Sequence, residues 1–281
     1  MSRESRRLSS PPAPGAREGN GRPEFLAPQL ATLVKEAPRG DDWLHELKLD
    51  GYRVLVVVDG DDTALWSRNH KSWTAKLPSL ARDARGLKRR ALLDGEAVLF
   101  DDKGRASFEL LVNGVHHGRE HDVVLLAFDL LWLDGWDLTE SPLEERKRAL
   151  AALLEDTPSS RLRYLDHVVG QGERVFTTAC ESGAEGIVSK RRGAAYRARR
   201  DGTWRKVKCT ARQELIVVGW TPASNARDHL GALVLAVYDD GKLRYAGRVG
   251  TGFSREERRE LRARLAGLER DTPPLDDKPK A

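Results

Sequence analysis

The chain has 281 residues, 40% hydrophobic and 32% charged, with a net charge of +5 at pH 7. This composition predicts a soluble globular protein with a heavily charged surface, and the length allows two folded domains. Apolar runs fall well short of the roughly 20 residues of a membrane span, no secretory signal is evident at the start, and two cysteines are too few for a disulfide scaffold or a Cys-rich zinc site.

Residues 1–22 are rich in Ser, Pro, Gly and Arg and contain few large apolar side chains. Because burial could not offset the entropy lost on ordering, we predict a disordered basic tail here. A larger domain is expected to follow at residues 23–209.

Hydrophobic patterning predicts an α+β arrangement for this larger domain. Two apolar runs, at residues 52–58 and 64–67, flank an Asp/Gly turn and predict a β-hairpin. The other predicted elements are strands at 91–100, 123–133, 187–189 and 204–209 and helices at 72–84, 142–154 and 172–182.

The histidines and cysteines of this domain are better explained as ordinary structural residues than as a metal site or a reactive thiol. His116, His117 and His121 have poor spacing for zinc and predict a polar loop. Cys209 is expected to be a strand residue rather than a reactive thiol, and it lies far from Cys180 in the sequence, which fits a reducing cytoplasm.

A strongly basic stretch covers residues 190–208. It contains nine Lys or Arg residues and one acid, a net charge of +8. One interpretation is contact with a phosphate-rich partner, and the other is a solvated loop in an Arg-rich protein. Charge alone does not decide between them.

A change of pattern after residue 209 predicts a second, smaller domain at residues 210–271. Short strands at 215–220, 232–238 and 243–249 are separated by Gly and Asp turns, and Ser254 can cap a helix at 254–268. We interpret this as a small β-barrel. Residues 272–281 are polar and are expected to form a loose tail.

Five short motifs bear on function. The first, KLDGYR at residues 48–53, places a lysine in a tight turn between two strands, although an Asp-Gly turn flanked by surface charges would explain it equally well on its own. The others are LDGEAV at 93–98, FD at 128–129, EGIVSK at 185–190 and WRKVK at 204–208, the last of which alternates two lysines onto one face of a strand.

Together, in this order and at this spacing, the motifs resemble those of the covalent nucleotidyltransferase superfamily, which includes ATP-dependent DNA ligases, RNA ligases and mRNA-capping enzymes. From about residue 25 to about residue 253, the amino-acid sequence is most similar to the ligase domain of bacterial non-homologous end-joining ligases. The resemblance implies an α+β nucleotidyltransferase domain of antiparallel sheets with flanking helices, followed by a small OB-fold barrel.

The resemblance implies that Lys48 is the nucleophile. Its neutral amine would attack the α-phosphate of ATP, expel pyrophosphate and form a covalent lysyl-AMP. Glu46 is then expected beside the adenine, Arg53 and Arg68 on the ribose and phosphate, and Phe128 stacked on the base. The alternative for Phe128 is a core position in a buried strand.

The resemblance also implies a metal site and a phosphate site. Glu185 is expected to be the carboxylate that seats Mg²⁺ or Mn²⁺, and Glu96 is expected to contact a ribose hydroxyl or to help hold the metal. Lys206 and Lys208 are expected on the α-phosphate, with membership of a general basic face as the alternative. The residues expected to contact the DNA backbone are Lys190, Arg191, Arg192, Arg197, Arg199 and Arg200.

The implied activity is the sealing of breaks in duplex DNA. AMP passes from the lysine to a 5′-phosphate, and a 3′-hydroxyl then attacks and releases AMP. The implied setting is double-strand break repair by non-homologous end joining in a bacterial cytosol or nucleoid. Candidate partners are nicked or broken duplex DNA, the end-binding protein Ku, and separate polymerase or nuclease modules, with no membrane.

Two alternatives remain open at this point. One is an RNA ligase or capping-type enzyme. The similarity of the sequence to bacterial ligases and the lack of an RNA-specific module argue against it. The other is a non-catalytic nick-binding module, because the family's last motif ends in Asp-Lys, and here Asp277-Lys278 lacks the aromatic and Arg residues expected before it. We therefore expect a barrel that is incomplete at its C-terminus, with reaction with ATP affected more than the later steps.

Overall fold

The computed structural model describes residues 8–19, 21–157, 159–209, 215–223, 226–239, 242–272 and 274–275. The chain divides into two compact units, Met1–Cys209 and Thr210–Ala281. Mainly antiparallel sheets with few helices make up the described residues, and this confirms the α+β prediction. None of the helices in these ranges is long and apolar enough to cross a membrane.

Two sheets form the first unit. Its strands are β1 Arg17–Glu18, β2 Thr32–Leu33, β3 Trp43–Leu47, β4 Tyr52–Asp59, β5 Asp62–Ser67, β6 Arg90–Val98, β7 Val124–Leu133, β8 Trp136–Asp137, β9 Leu162–Tyr164, β10 Val168–Val169, β11 Gly186–Arg191 and β12 Trp204–Lys208. One sheet has the order β1-β8-β7-β6-β4-β5, with β9 paired to β7, and the other has the order β10-β3-β11-β12-β2. The predicted hairpin is confirmed as β4 and β5.

The helices of the first unit are α1 Pro78–Arg85, α2 Phe108–His116, α3 Leu143–Glu155 and α4 Gly172–Glu181. Helix α1 begins six residues later than predicted, because Ser72 and Trp73 instead bond back to β5. The sequence analysis missed α2, in which Ser107 caps the first turn and Leu111 packs into the core. The region predicted as a polar loop therefore holds His116 at the end of this helix, and the short 3₁₀ turn Glu120–Asp122 follows.

The larger sheet is buried on both faces, which explains why its strands are nearly continuous apolar runs. On β4, Val54, Val56 and Val58 pack into the main core with α1 and α3, while Leu55 faces the opposite way. Leu55 joins a second cluster that includes Phe128 and Trp204 and lies between the two sheets. The candidate site lies beside this second cluster.

The prediction of a disordered tail at residues 1–22 is wrong for residues 8–19. Arg17–Glu18 pairs with β8, Ala13 is buried, and the indole of Trp136 donates a hydrogen bond to the carbonyl of Leu8. The few small apolar residues of this segment suffice because they join a core that the rest of the unit has already formed. Residues 1–7 lie outside the described ranges.

The two cysteines are not independent. Cys180, near the end of α4, and Cys209, just after β12, form a disulfide bond. Cys209 therefore follows strand β12 rather than lying in it, and the separation of the two cysteines in sequence, on which the expectation of a reducing cytoplasm rests, does not keep them from pairing. The fold brings α4 against β11 and its neighbour β12, and it is this packing that places the two side chains within bonding distance.

The second unit contains a three-stranded antiparallel sheet, β13 Ile216–Ala223, β14 Ala226–Asp239 and β15 Lys242–Val249, followed by α5 Arg255–Ala266. Ser254 and Glu257 form a capping box at the start of α5, as the sequence predicts for Ser254. Arg258 fastens the helix to the sheet by donating hydrogen bonds to the carbonyls of Leu230, Gly231 and Gly250. Asp277-Lys278 lies outside the described residues.

Candidate active site

A cavity of about 500 Å³ opens between the two sheets of the first unit. Strands β3, β11 and β12 supply one wall, and β4, β6 and β7 supply the other. Seven of the eight residues predicted to bind the nucleotide line it, namely Glu46, Lys48, Arg53, Arg68, Glu96, Phe128 and Lys206. The fold thus brings together residues that are up to 160 positions apart in the sequence.

Strand register explains why the motif lysines cluster. Lys48 directly follows β3, and its backbone N–H donates a 2.8 Å hydrogen bond to the carbonyl of Gly186, the residue of β11 that pairs with Lys208 on β12. A Cβ at Gly186 would lie 2.0 Å from the carbonyl oxygen of Val207, so only glycine fits at this crossing. Three adjacent strands therefore deliver two lysines to one place.

Glu185 occupies the centre of this cluster. Its carboxylate forms an ion pair with Lys48, and its other oxygen lies 2.9 Å from the Nζ of Lys208. Partial burial acts to raise the pKa of Glu185, but hydrogen bonds from the two lysines outweigh it and hold the pKa below its usual value. The nearby Lys206 has a lowered pKa because of partial burial and the neighbouring cations Lys48 and Lys208.

Glu96 and Glu185 are the predicted metal-site carboxylates. Burial raises the pKa of Glu96 to about 7, with smaller contributions from the charges of Asp94 and Glu185. Glu96 lines the cavity together with Lys48, the ion-pair partner of Glu185. The described residues bring together no group of three or more His, Cys, Asp or Glu side chains that could form an all-protein cage. Two carboxylates fit Mg²⁺ or Mn²⁺, since such ions are usually held by one or two carboxylates together with substrate phosphates.

Deeper in the cavity, Glu46 is buried and shared by two lysines. Its Oε1 lies 2.6 Å from the Nζ of Lys147, and its Oε2 lies 2.6 Å from the Nζ of Lys190. The ammonium of Lys190 also lies 4.0 Å from the ring centroid of Phe128 and 4.1 Å from that of Trp204. Phe128 is thus both a core residue and part of the cavity wall, so the two interpretations of it do not conflict.

Arg53 is held rigidly rather than left free for a ligand. It makes two hydrogen bonds to Asp94, of 2.8 and 2.5 Å, and a third of 2.7 Å to the carbonyl of Gln29. The hydroxyl of Tyr196 donates to the same Asp94 carboxylate. Arg68, in contrast, is exposed at the rim of the cavity.

The DNA-binding prediction for the basic stretch is wrong for Lys190. Lys190 is 1% exposed and cannot reach a DNA backbone. Arg191, Arg192 and Arg197 pair with acids far away in the sequence, namely Asp42, Glu144 and Glu140. Counting charge within the stretch missed these partners. Arg199 is exposed, and Arg200 lines the cavity while it donates to the carbonyl of Ala31.

Sequence reasoning missed Lys147, which lies on α3. The signal was present, because Leu143, Lys147, Leu150 and Leu154 repeat at helical spacing and share the buried face of the helix. A lysine at such a position needs a buried counter-charge, which here is Glu46. Asp94 and Trp204 fell within the quoted motifs but were not singled out as site residues.

Two family descriptions match this chain. Residues 25–208 match the family described as ATP dependent DNA ligase domain, and residues 226–281 match the ATP dependent DNA ligase C terminal region. The chain is 40% identical over 282 aligned positions to the multifunctional non-homologous end joining protein LigD of Pseudomonas aeruginosa, an alignment that covers 97% of this chain and 34% of that protein. It is 30% identical to a DNA ligase of Thermococcus fumicolans, with 85% and 46% covered.

Among solved structures, the chain is similar to a mycobacterial DNA ligase D complexed with ATP and MES, with 36% identity, a TM-score of 0.63, and 91% of this chain and 82% of that one covered. The chain spans about a third of the length of the LigD proteins that it matches. These matches favour neither an RNA ligase nor a capping enzyme. Two family matches, which together take in most of the sequence, establish that the chain belongs to the ATP-dependent DNA ligase family.

Proposed function

We propose that this chain seals breaks in duplex DNA through a covalent lysyl-AMP intermediate, with Lys48 as the nucleophile. The observation that carries the proposal is the position of the Lys48 amine, which lines a cavity of about 500 Å³ and contacts Glu185. Lys206 and Lys208 on the neighbouring strand supply positive charge at the same end. A nucleotide with its base beside Glu46 and Phe128 would direct its phosphates toward this cluster.

In the first step, the neutral Lys48 amine attacks the α-phosphate of ATP and a P–N bond forms. The P–O bond to the β-phosphate breaks, pyrophosphate leaves, and the proton that the amine loses passes to the Glu185 carboxylate in contact with it or to water. Lys206 and Lys208 stabilise the charge that accumulates on the phosphate oxygens, and such positioning and electrostatic effects dominate phosphoryl-type transfer. A bound Mg²⁺ or Mn²⁺, held by Glu185 and Glu96, would supply further neutralisation of phosphate charge.

The later steps use the same groups. AMP passes from Lys48 to a 5′-phosphate, and attack by the 3′-hydroxyl then joins the strand and releases AMP. We assign backbone contact to Arg199 and Arg200 rather than to the whole basic stretch, because Arg191, Arg192 and Arg197 already have carboxylate partners. Contacts of this kind predict strong dependence on salt and little dependence on DNA sequence.

We further propose that the chain acts in non-homologous end joining in a bacterial cytosol or nucleoid. Its support is the similarity to LigD proteins, whose name includes this pathway. Those relatives are about three times as long as this chain. We therefore consider polymerase or nuclease modules, and the end-binding protein Ku, as candidate partners.

The test is the intact mass of the protein after incubation with ATP and Mg²⁺ or Mn²⁺. We expect a gain of one AMP in the wild type and in Lys103→Ala, an exposed lysine outside the cavity, but none in Lys48→Ala. Sealing of a nick that already carries a 5′-adenylate is measured in parallel. A wild type that gains no mass but seals this nick would restrict the activity to the last step, and a wild type that does neither would overturn the proposal.

A further inference from the structure

Three charged side chains are buried together behind the cavity. Glu46, Lys147 and Lys190 are each no more than 2% exposed, and the two ammonium groups contact different oxygens of the single carboxylate. Charges are rarely buried to this degree unless they are paired. The group carries a net charge of +1, so its arrangement requires an explanation beyond simple pairing.

The two lysines hold Glu46 from opposite sides. Lys190 lines the cavity, where its ammonium lies between the rings of Phe128 and Trp204. Lys147 is absent from the cavity wall and reaches Glu46 from helix α3. It also donates a 3.0 Å hydrogen bond to the carbonyl of Leu165 and lies 4.6 Å from the ring of Tyr164. Lys147 is therefore anchored to the body of the unit, and Lys190 belongs to the cavity.

The two lysines also differ in the direction in which their pKa values are shifted. Burial acts to lower the pKa of Lys147, but the charge and hydrogen bond of Glu46, together with Tyr164 and Asp129, outweigh it, and the pKa lies above the usual 10.5. Burial lowers the pKa of Lys190 to about 8 despite the same carboxylate. Lys147 is thus the firmer counter-charge of Glu46, and Lys190 is the weaker one.

We propose that Lys147 is a positioning residue for nucleobase selection: it fixes Oε1 of Glu46 from outside the cavity wall, so that Oε2, which Lys190 contacts at the wall, keeps a second lone pair as hydrogen-bond acceptor for an exocyclic amino group. Adenine carries an amino group at the position where guanine carries a carbonyl oxygen. A fixed carboxylate oxygen accepts a hydrogen bond from the amino group and repels the carbonyl. The inference rests on the proposed function, because it assumes that the base of ATP occupies this part of the cavity.

The test measures the binding of ATP and of GTP by calorimetry in a Lys48→Ala background, where no covalent step intervenes. Lys147→Met removes the charge at similar length. Leu150→Ala is the matched control, because Leu150 is equally buried on the same helix but lies outside the cavity wall. We expect Lys147→Met to reduce the preference for ATP over GTP by roughly 10- to 100-fold, as a hydrogen bond to a charged group is lost. Leu150→Ala should lower thermal stability and leave the preference unchanged.

A second pair of variants covers the case in which Lys147→Met fails to fold because Glu46 is left with one partner. Glu46→Gln keeps an amide oxygen to which the lysines can donate, and the double variant Glu46→Gln/Lys147→Met also removes one of the two ammonium groups that then lack a carboxylate partner. If Lys147 acts through Glu46, the two should show the same ATP-to-GTP ratio. A further loss of preference in the double variant, or an unchanged ratio in a folded Lys147→Met, would overturn the inference. A Lys48→Ala protein that binds neither nucleotide would instead overturn the proposed function and the inference with it.

Discussion

Lys48 and Glu185, 137 residues apart in the sequence, form an ion pair at the cavity. Lys208 shares the same carboxylate from the neighbouring strand. The proposed nucleophile is thus held by the residue that is also the proposed metal ligand. This relationship means that occupation of Glu185 by a cation would release the lysine amine at the place where the phosphate arrives.

The first prediction concerns Glu185→Gln. Loss of the carboxylate removes both the counter-charge of Lys48 and a metal ligand, so the rate of AMP attachment should fall by roughly 10²- to 10³-fold. The protein should remain folded because Glu185 is only partly buried. Time courses of the AMP mass gain check this, with the exposed Glu173→Gln on α4 as the control. A rate within threefold of the wild type would contradict the assigned role.

The second prediction separates the two kinds of arginine in the basic stretch. Arg199→Ala/Arg200→Ala should weaken binding to nicked duplex DNA and reduce the slope of log K against log salt by about one to two, because each lost phosphate contact changes the slope by roughly one. Arg192→Gln/Arg197→Gln, which removes arginines already paired with Glu144 and Glu140, should leave the slope unchanged and cost at most about 1 kcal/mol of stability per pair. Fluorescence anisotropy at several salt concentrations measures the slopes, and the opposite pattern would restore the original assignment.

The third prediction concerns the pH dependence of stability. The pKa of Lys190 is lowered to about 8 in the folded protein, against the usual 10.5. Between these two values, the unfolded chain holds a proton that the folded chain has lost, so the contribution of Lys190 to the free energy of unfolding rises with pH across this window. Below pH 8 both forms are charged, and the cost of burying the ammonium is fully present. The stability of the wild type relative to Lys190→Met should therefore increase between pH 8 and pH 10.5.

Urea unfolding of both proteins at pH 7, 8, 9 and 10 tests this. Taking the difference between the two proteins cancels the titration of other lysines and tyrosines, which both share. If the free energy of unfolding of the two proteins changes in parallel with pH, Lys190 titrates normally and the prediction is wrong.

The fourth prediction concerns the Cys180–Cys209 disulfide, which closes a loop with a sequence separation of 29 residues. In the chain-entropy account, a loop of this length stabilises the folded state by roughly 3–4 kcal/mol. Reduction by dithiothreitol should lower the free energy of unfolding by about this amount. A Cys180→Ala/Cys209→Ala variant should have the stability of the reduced protein and should not respond to the reductant. A wild type that is also insensitive would show that the bond does not form.

Much of the strand order was predictable, because long apolar runs and Asp/Gly turns are local signals; β4, β5 and β7 follow them closely. Helix α2 was missed because its apolar stretch is short and interrupted by Gly114, which is buried where a Cβ would meet Leu99. Motifs in the sequence pointed to Lys48, Glu185 and Lys208, which the structure brings into contact with one another at the candidate site. Lys147 lies outside every motif, and its role depends on a contact with Glu46, 101 residues away.

The sequence by itself determined the family and the chemical groups available, since nucleophile, carboxylates and cations stand in short motifs whose residue types do not depend on the fold. Only the tertiary structure decided which charges are free. Net charge counted along residues 190–208 predicts a DNA-binding surface, but Asp42, Glu140 and Glu144 neutralise three of its arginines and Glu46 pairs with the buried Lys190. The physical reason is that ion pairs and burial depend on distances through space, which strand register and helix packing set and which spacing along the chain does not contain.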